Sequence, residues 1–92
     1  MDFNEALDTE LEAIKIHLQQ KNFRYGNSAL QPLRIFSKSP ADEQINVRID
    51  DKLSRIRNQS QDDTEDSEGD LLGYLVLKRI QRRMKWVDGA KE

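Results

Sequence analysis

Asp70-Leu71-Leu72-Gly73-Tyr74-Leu75-Val76-Leu77 is the stretch on which the fold turns. From 71 to 77 it is apolar almost all round, and a helix apolar on every side is buried on every side. The pattern continues through Ile80 and Met84, so it predicts a helix from about Glu65 to Lys85, capped by Thr64 or Asp63. Its first half belongs at the centre of the fold or at a subunit interface. The acids of its first turn are then carried inward, and Asp70, which directly precedes Leu71, needs a partner because an unpaired carboxylate there is costly. Gly69 and Gly73 sit four apart on this helix, each costing about 1 kcal/mol relative to alanine. They serve either tight helix packing or clearance for a ligand.

Upstream, Leu7, Leu11, Ile14 and Leu18 recur at spacings of four, three and four. They mark an amphipathic helix over about residues 4 to 21, extended by Phe3 and Ala6 and capped by Asp2 or Asn4. Ser39-Pro40-Ala41-Asp42-Glu43 starts another helix, with a serine cap, proline at the first helical position and two acids in the first turn. Its stripe is Ile45, Ile49, Leu53 and Ile56, and it runs to about Asn58. Between these helices, Asn22 to Lys38 contains Phe23, Tyr25, Leu30, Leu33, Ile35 and Phe36. That is too apolar for a free loop, and it predicts an ordered connection with a short helical turn packed against the bundle.

The fold class is therefore all-α: one domain over residues 1–92, a small bundle of three main helices plus a short connecting helix or turn. With 92 residues, 36% hydrophobic and 35% charged, folding should bury roughly 10,000 Å² from a thin core. A core this thin favours completion by oligomerisation, so a homo-oligomer is expected. There is no cysteine and a single histidine, His17, which excludes thiol catalysis and multi-histidine metal sites and disfavours a catalytic triad. No apolar run approaches a membrane span, the N-terminus is acidic, and the net charge of −2 gives no global pull toward nucleic acid or lipid. These features predict a cytoplasmic protein.

Charge is segregated along the chain. Residues 1 to 20 carry five acids and one base, 21 to 40 carry four bases and no acid, and 61 to 70 carry six acids and no base. Such a surface can hold anions and cations at neighbouring places, as a phosphorylated ligand with a metal ion requires; solvated faces pairing with one another would produce it too. Asp62, Asp66 and Asp70 form a column at helical spacing, beside Glu65 and Glu68. A divalent cation or facing arginines would relieve their repulsion, whereas the acids nearest the start could simply complement the helix dipole. On the second helix Arg48, Asp51, Lys52 and Arg55 lie three or four apart on the flank of the apolar stripe. The arginines either bridge to Asp66 and Asp70 or, across a cleft, bind phosphate. Tyr25-Gly26-Asn27-Ser28 is first a turn, and second an aromatic face with exposed amides. His17 is expected as a satisfied interfacial histidine and Trp86 as an interface anchor.

Tyr25-Gly26-Asn27-Ser28, Arg48-Ile49-Asp50-Asp51-Lys52-Leu53-Ser54-Arg55-Ile56, and Glu65-Asp66 before Asp70-Leu71-Leu72-Gly73-Tyr74 together resemble a small nucleotide-modification-associated domain of phage and bacterial proteins. That domain looks like a distant relative of the all-α nucleoside triphosphate pyrophosphohydrolases of the MazG and dimeric dUTPase type. The resemblance covers about residues 20 to 80. It implies a nucleotide-binding protein of phage or bacterial nucleotide metabolism, with magnesium held by Asp51, Asp66 and Asp70. It further implies phosphate bound by Arg48, Lys52 and Arg55, a base contacted by Tyr25, Asn27 and Tyr74, and helices from several chains building the site. The hydrolases carry Glu-x-x-Glu and Glu-x-x-Asp pairs, whereas this chain has Arg48-x-x-Asp51, and serine at 67. Capture of a nucleotide, including a cyclic immune signal, without cleavage is therefore an alternative to hydrolysis. A helical protein-interaction module is a third reading.

Overall fold

A computed structural model of the chain describes residues 1–58 and 66–91, with side chains as far as Lys85. It contains three helices, α1 Phe3–Tyr25, α2 Ala41–Arg57 and α3 Ser67–Lys91, and no strand among the described residues. The all-α class follows. No helix among those residues is long and apolar enough to cross a membrane.

Local chemistry accounts for most helix ends. Asp2 caps α1, its carboxylate accepting from the Glu5 amide at 2.9 Å. The helix runs four residues beyond the predicted end because Asn22 to Tyr25 continue it. It stops at Gly26, whose left-handed φ of 59° suits glycine, with the Gly26 N–H bonded to the Asn22 carbonyl. Asn27 follows with φ 64°; the Ser28 amide donates to the Tyr25 carbonyl at 3.2 Å, closing the turn predicted at Tyr25–Ser28, and the Asn27 carbonyl accepts from Leu30 and Gln31 in the next turn.

At the start of α2 the sequence reading needs correction. Pro40, in extended conformation, is the cap residue and no side chain caps the helix. Ser39 contributes its carbonyl, which accepts from the Gln44 side chain at 2.7 Å. For α3, Thr64 and Asp63 lie outside the described residues. The described cap is Asp66, whose carboxylate accepts from the Gly69 amide at 2.9 Å and whose carbonyl accepts from Asp70.

The helices pack around α3. Lys85–Asp42 at 3.9 Å, Lys78–Asn46 at 2.7 Å and Lys52–Asp70 at 3.2 Å set α2 antiparallel to α3 along most of its length. α1 meets α3 at Leu18, which approaches Gly73, and at Lys21, 3.5 Å from Asp70; these two contacts also run antiparallel.

The core is thin. Ile45 is the one fully buried hydrophobic residue among those described, at 1% exposure, while Leu53 and Ile56 further along the same stripe are open. The chain exposes 7791 Å², where a folded monomer of 10.8 kDa would expose about 5,500 Å². Its radius of gyration is 15.3 Å, against about 12 Å for a compact chain of this length. Two expectations change accordingly. The segment before α2 packs only in part: Ala29 and Leu30 are half-buried beside the other helices, whereas Leu33, Ile35 and Phe36 are exposed, Phe36 by 99%. The first half of α3 is central in position but not enclosed, because Leu72 and Leu75 retain 41% and 43% exposure.

Candidate functional site: a cleft between the three helices

A cleft of about 380 Å³ opens where the C-terminal half of α1, the turn after it, the middle of α2 and the first half of α3 converge. Tyr25 stands at the end of α1, and Arg48 reaches in from α2. Asp70 and Tyr74, one turn apart, come from α3. The two glycines make the floor. A Cβ on Gly73 would meet a Leu18 methyl at 3.3 Å, so its absence is what lets α1 come close. A Cβ on Gly69 would strike the Asp66 carboxylate, which occupies that space while capping the helix. Tight helix packing is thus the property of Gly73, whereas Gly69 leaves room for the capping carboxylate of its own helix, and both line the cleft.

Asp70 is the electrostatic centre. Its two oxygens face different lysines, Oδ1 toward Lys21 at 3.5 Å and Oδ2 toward Lys52 at 3.2 Å. Burial pushes this carboxyl up, but the Lys52 hydrogen bond and the charges of both lysines outweigh it and hold it below its ordinary value. The predicted partner came from the expected helix. It is the ammonium of Lys52 rather than a guanidinium of Arg48 or Arg55.

The other predicted residues divide. Tyr25, Arg48, Asp70 and Tyr74 line the cleft. Lys52 stands behind them on Asp70. Asp51 pairs with Arg55 one turn on, at 3.2 Å, on the exposed side of α2, so neither is among the lining residues. Asp66 serves as the cap of α3. Asn27 turns back and accepts a hydrogen bond from the Asn22 side chain, and it is Asn22 that faces the cleft. Among the described residues no three acidic or histidine side chains come together in a way that could hold a metal ion. The trio Asp51, Asp66 and Asp70 is accordingly not gathered: one is in an intrahelical pair, one is a cap and one sits between two lysines.

Three cleft residues escaped the sequence reading: His17, Lys21 and Asn22. Their signal lay in the spacing. Leu18, Lys21 and Tyr25 recur at three and four, so the stripe that buries Leu18 continues as a polar edge into the cleft. His17 is exposed and lines this wall, instead of being enclosed at a helix interface.

Compared with known proteins, the chain matches no family model, no curated protein and no solved structure.

Proposed function

We propose that this chain binds a nucleotide or nucleotide-derived phosphate in the cleft between α1, α2 and α3. The observation that carries the reading is the composition of the site: Tyr25 and Tyr74 beside the lining cations Lys21 and Arg48, set against one carboxylate, Asp70. Aromatic faces accept a base by stacking, and the excess of cations suits phosphate. Arg48 is exposed at the mouth and offers a planar fork that can bind two phosphate oxygens. The Asn22 amide supplies a donor and an acceptor for a base edge. A volume of about 380 Å³ lies within the range of small-molecule sites.

Capture without turnover fits this geometry better than hydrolysis. Cleaving a phosphoanhydride requires a positioned water and neutralisation of the leaving phosphates, usually by metal-bound carboxylates. The described cleft has one carboxylate, already engaged by two lysines. The magnesium implied by the resemblance does not find its three carboxylates gathered there, so no chemical step is assigned to it. In the phage or bacterial setting suggested by the motifs, the role is sequestration of a linear or cyclic nucleotide.

The test is a thermal-stability panel of linear and cyclic nucleotides, each with and without magnesium, followed by denaturation and chromatography of the ligand. A binding ligand at 100 times its Kd should add about 2.7 kcal/mol of stability, and it should be recovered intact. If no member of the panel shifts the melting temperature, the binding reading is wrong. If a ligand shifts it and returns as cleaved product, sequestration gives way to pyrophosphohydrolase activity.

A further inference from the structure

α3 has three sides, and the described residues of the chain pack against two of them. Asp70, Lys78 and Lys85 contact α2, while Gly73 and Leu77 face α1 and the cleft. The third side carries Glu68, Leu72, Leu75 and Arg79, spaced by four, three and four and therefore aligned on one stripe. All four are exposed. Neither Glu68 nor Arg79 makes an ion pair among the described residues.

We propose that this side of α3 is a two-fold interface with a second copy of the chain, the two α3 helices lying antiparallel. The order of residues argues for that occupant. The stripe reads acid, leucine, leucine, base, and it is its own complement when reversed. About an axis between Gly73 and Tyr74, Leu72 meets the partner's Leu75 and Glu68 meets the partner's Arg79. Symmetry repeats each contact, so one stripe supplies two leucine pairs and two ion pairs. A shallow antiparallel crossing keeps the charged ends within reach across roughly 16 Å of helix. A parallel arrangement would set Arg79 against the partner's Arg79, so the charge pattern selects the antiparallel one.

The exposed area argues the same way. The chain shows about 2,300 Å² more than a folded monomer of its mass should. A stable pair needs roughly 800 Å² from each partner, so the surplus covers such an interface.

A charge-reversal cycle read by sedimentation equilibrium at low salt tests the register. The wild-type chain should have the mass of two copies or a multiple of two. Glu68→Arg and Arg79→Glu, each alone, should weaken association at least about tenfold, since each creates two like-charge contacts. The double variant Glu68→Arg/Arg79→Glu should return to within about threefold of wild type. Circular dichroism of each variant confirms that the helices are kept. A wild-type chain that stays monomeric at high micromolar concentration would overturn the proposal, as would single variants that associate normally or a double variant that is not rescued.

Discussion

Lys52 Nζ stands 3.2 Å from Asp70 Oδ2, joining α2 to α3 at the back of the cleft, while Lys21 approaches the other oxygen of the same carboxylate from α1. One side chain thus ties three helices together in a molecule whose described core holds a single fully buried hydrophobic residue. Electrostatics here performs a joining role that a thicker core would leave to packing.

Replacing Lys52 with methionine should therefore destabilise the fold by about 1–3 kcal/mol, the range for removing one partner of a part-buried polar pair. Chemical denaturation would measure it. Because Lys21 remains, the Asp70 carboxyl should still ionise, at a higher pH than in the parent chain.

Acid should act through the same group. The folded-state pKa of Asp70 lies below the unfolded value of about 3.9, so the folded chain holds the carboxylate more readily than the unfolded one. Its contribution is complete above about pH 5 and is lost as pH falls through 4 toward the lower folded value. Urea unfolding at pH 7, 5, 4 and 3 should show that decline, and Asp70→Asn should reduce it. An unchanged acid profile in Asp70→Asn would remove this carboxylate from the account.

Asp66 and Gly69 should behave as a unit. Asp66→Ala removes a cap and should cost about 1 kcal/mol. Gly69→Ala gains up to about 1 kcal/mol of helix propensity but displaces the capping carboxylate, so it should be near neutral in the parent chain. In the Asp66→Ala background the same substitution should be clearly stabilising. Additive effects in this double-mutant cycle would show that the two do not share the space.

Gly73→Leu should push α1 off α3 and fill the cleft floor, costing about 1–3 kcal/mol as overpacking does. Gly73→Ala asks the Leu18 methyl to yield only slightly from 3.3 Å and should preserve the fold. The two variants are distinguished by thermal unfolding, and only the leucine variant should also lose any nucleotide-induced shift.

Arg48→Ala isolates binding from stability. Arg48 is exposed, so its loss should move stability by less than about 0.5 kcal/mol. A nucleotide-induced thermal shift should nevertheless disappear. Retention of the shift would relocate the phosphate contact.

The three helices were legible because each writes a periodic apolar stripe into the chain, and periodicity is a local property. So was the need for an Asp70 partner, since its neighbours Leu71 and Leu72 announce an apolar setting. The partner's identity was not legible. Arg48, Lys52 and Arg55 share one flank of α2, and the rotation of that helix against α3 decides which cation arrives. The capping role of Asp66 and the intrahelical pairing of Asp51 were equally hidden among carboxylates that look alike at helical spacing.

By itself the sequence determined the helix count, the extra-apolar character of α3 and the turn at Gly26, all of which depend on residues within a few positions of one another. The tertiary structure alone decided that α3 is central yet leaves Leu72 and Leu75 partly exposed, and that Lys21, Arg48 and Asp70 share a cleft. Those facts depend on the distances and rotations between helices, which are set by contacts such as Leu18 on Gly73 between residues far apart in the chain.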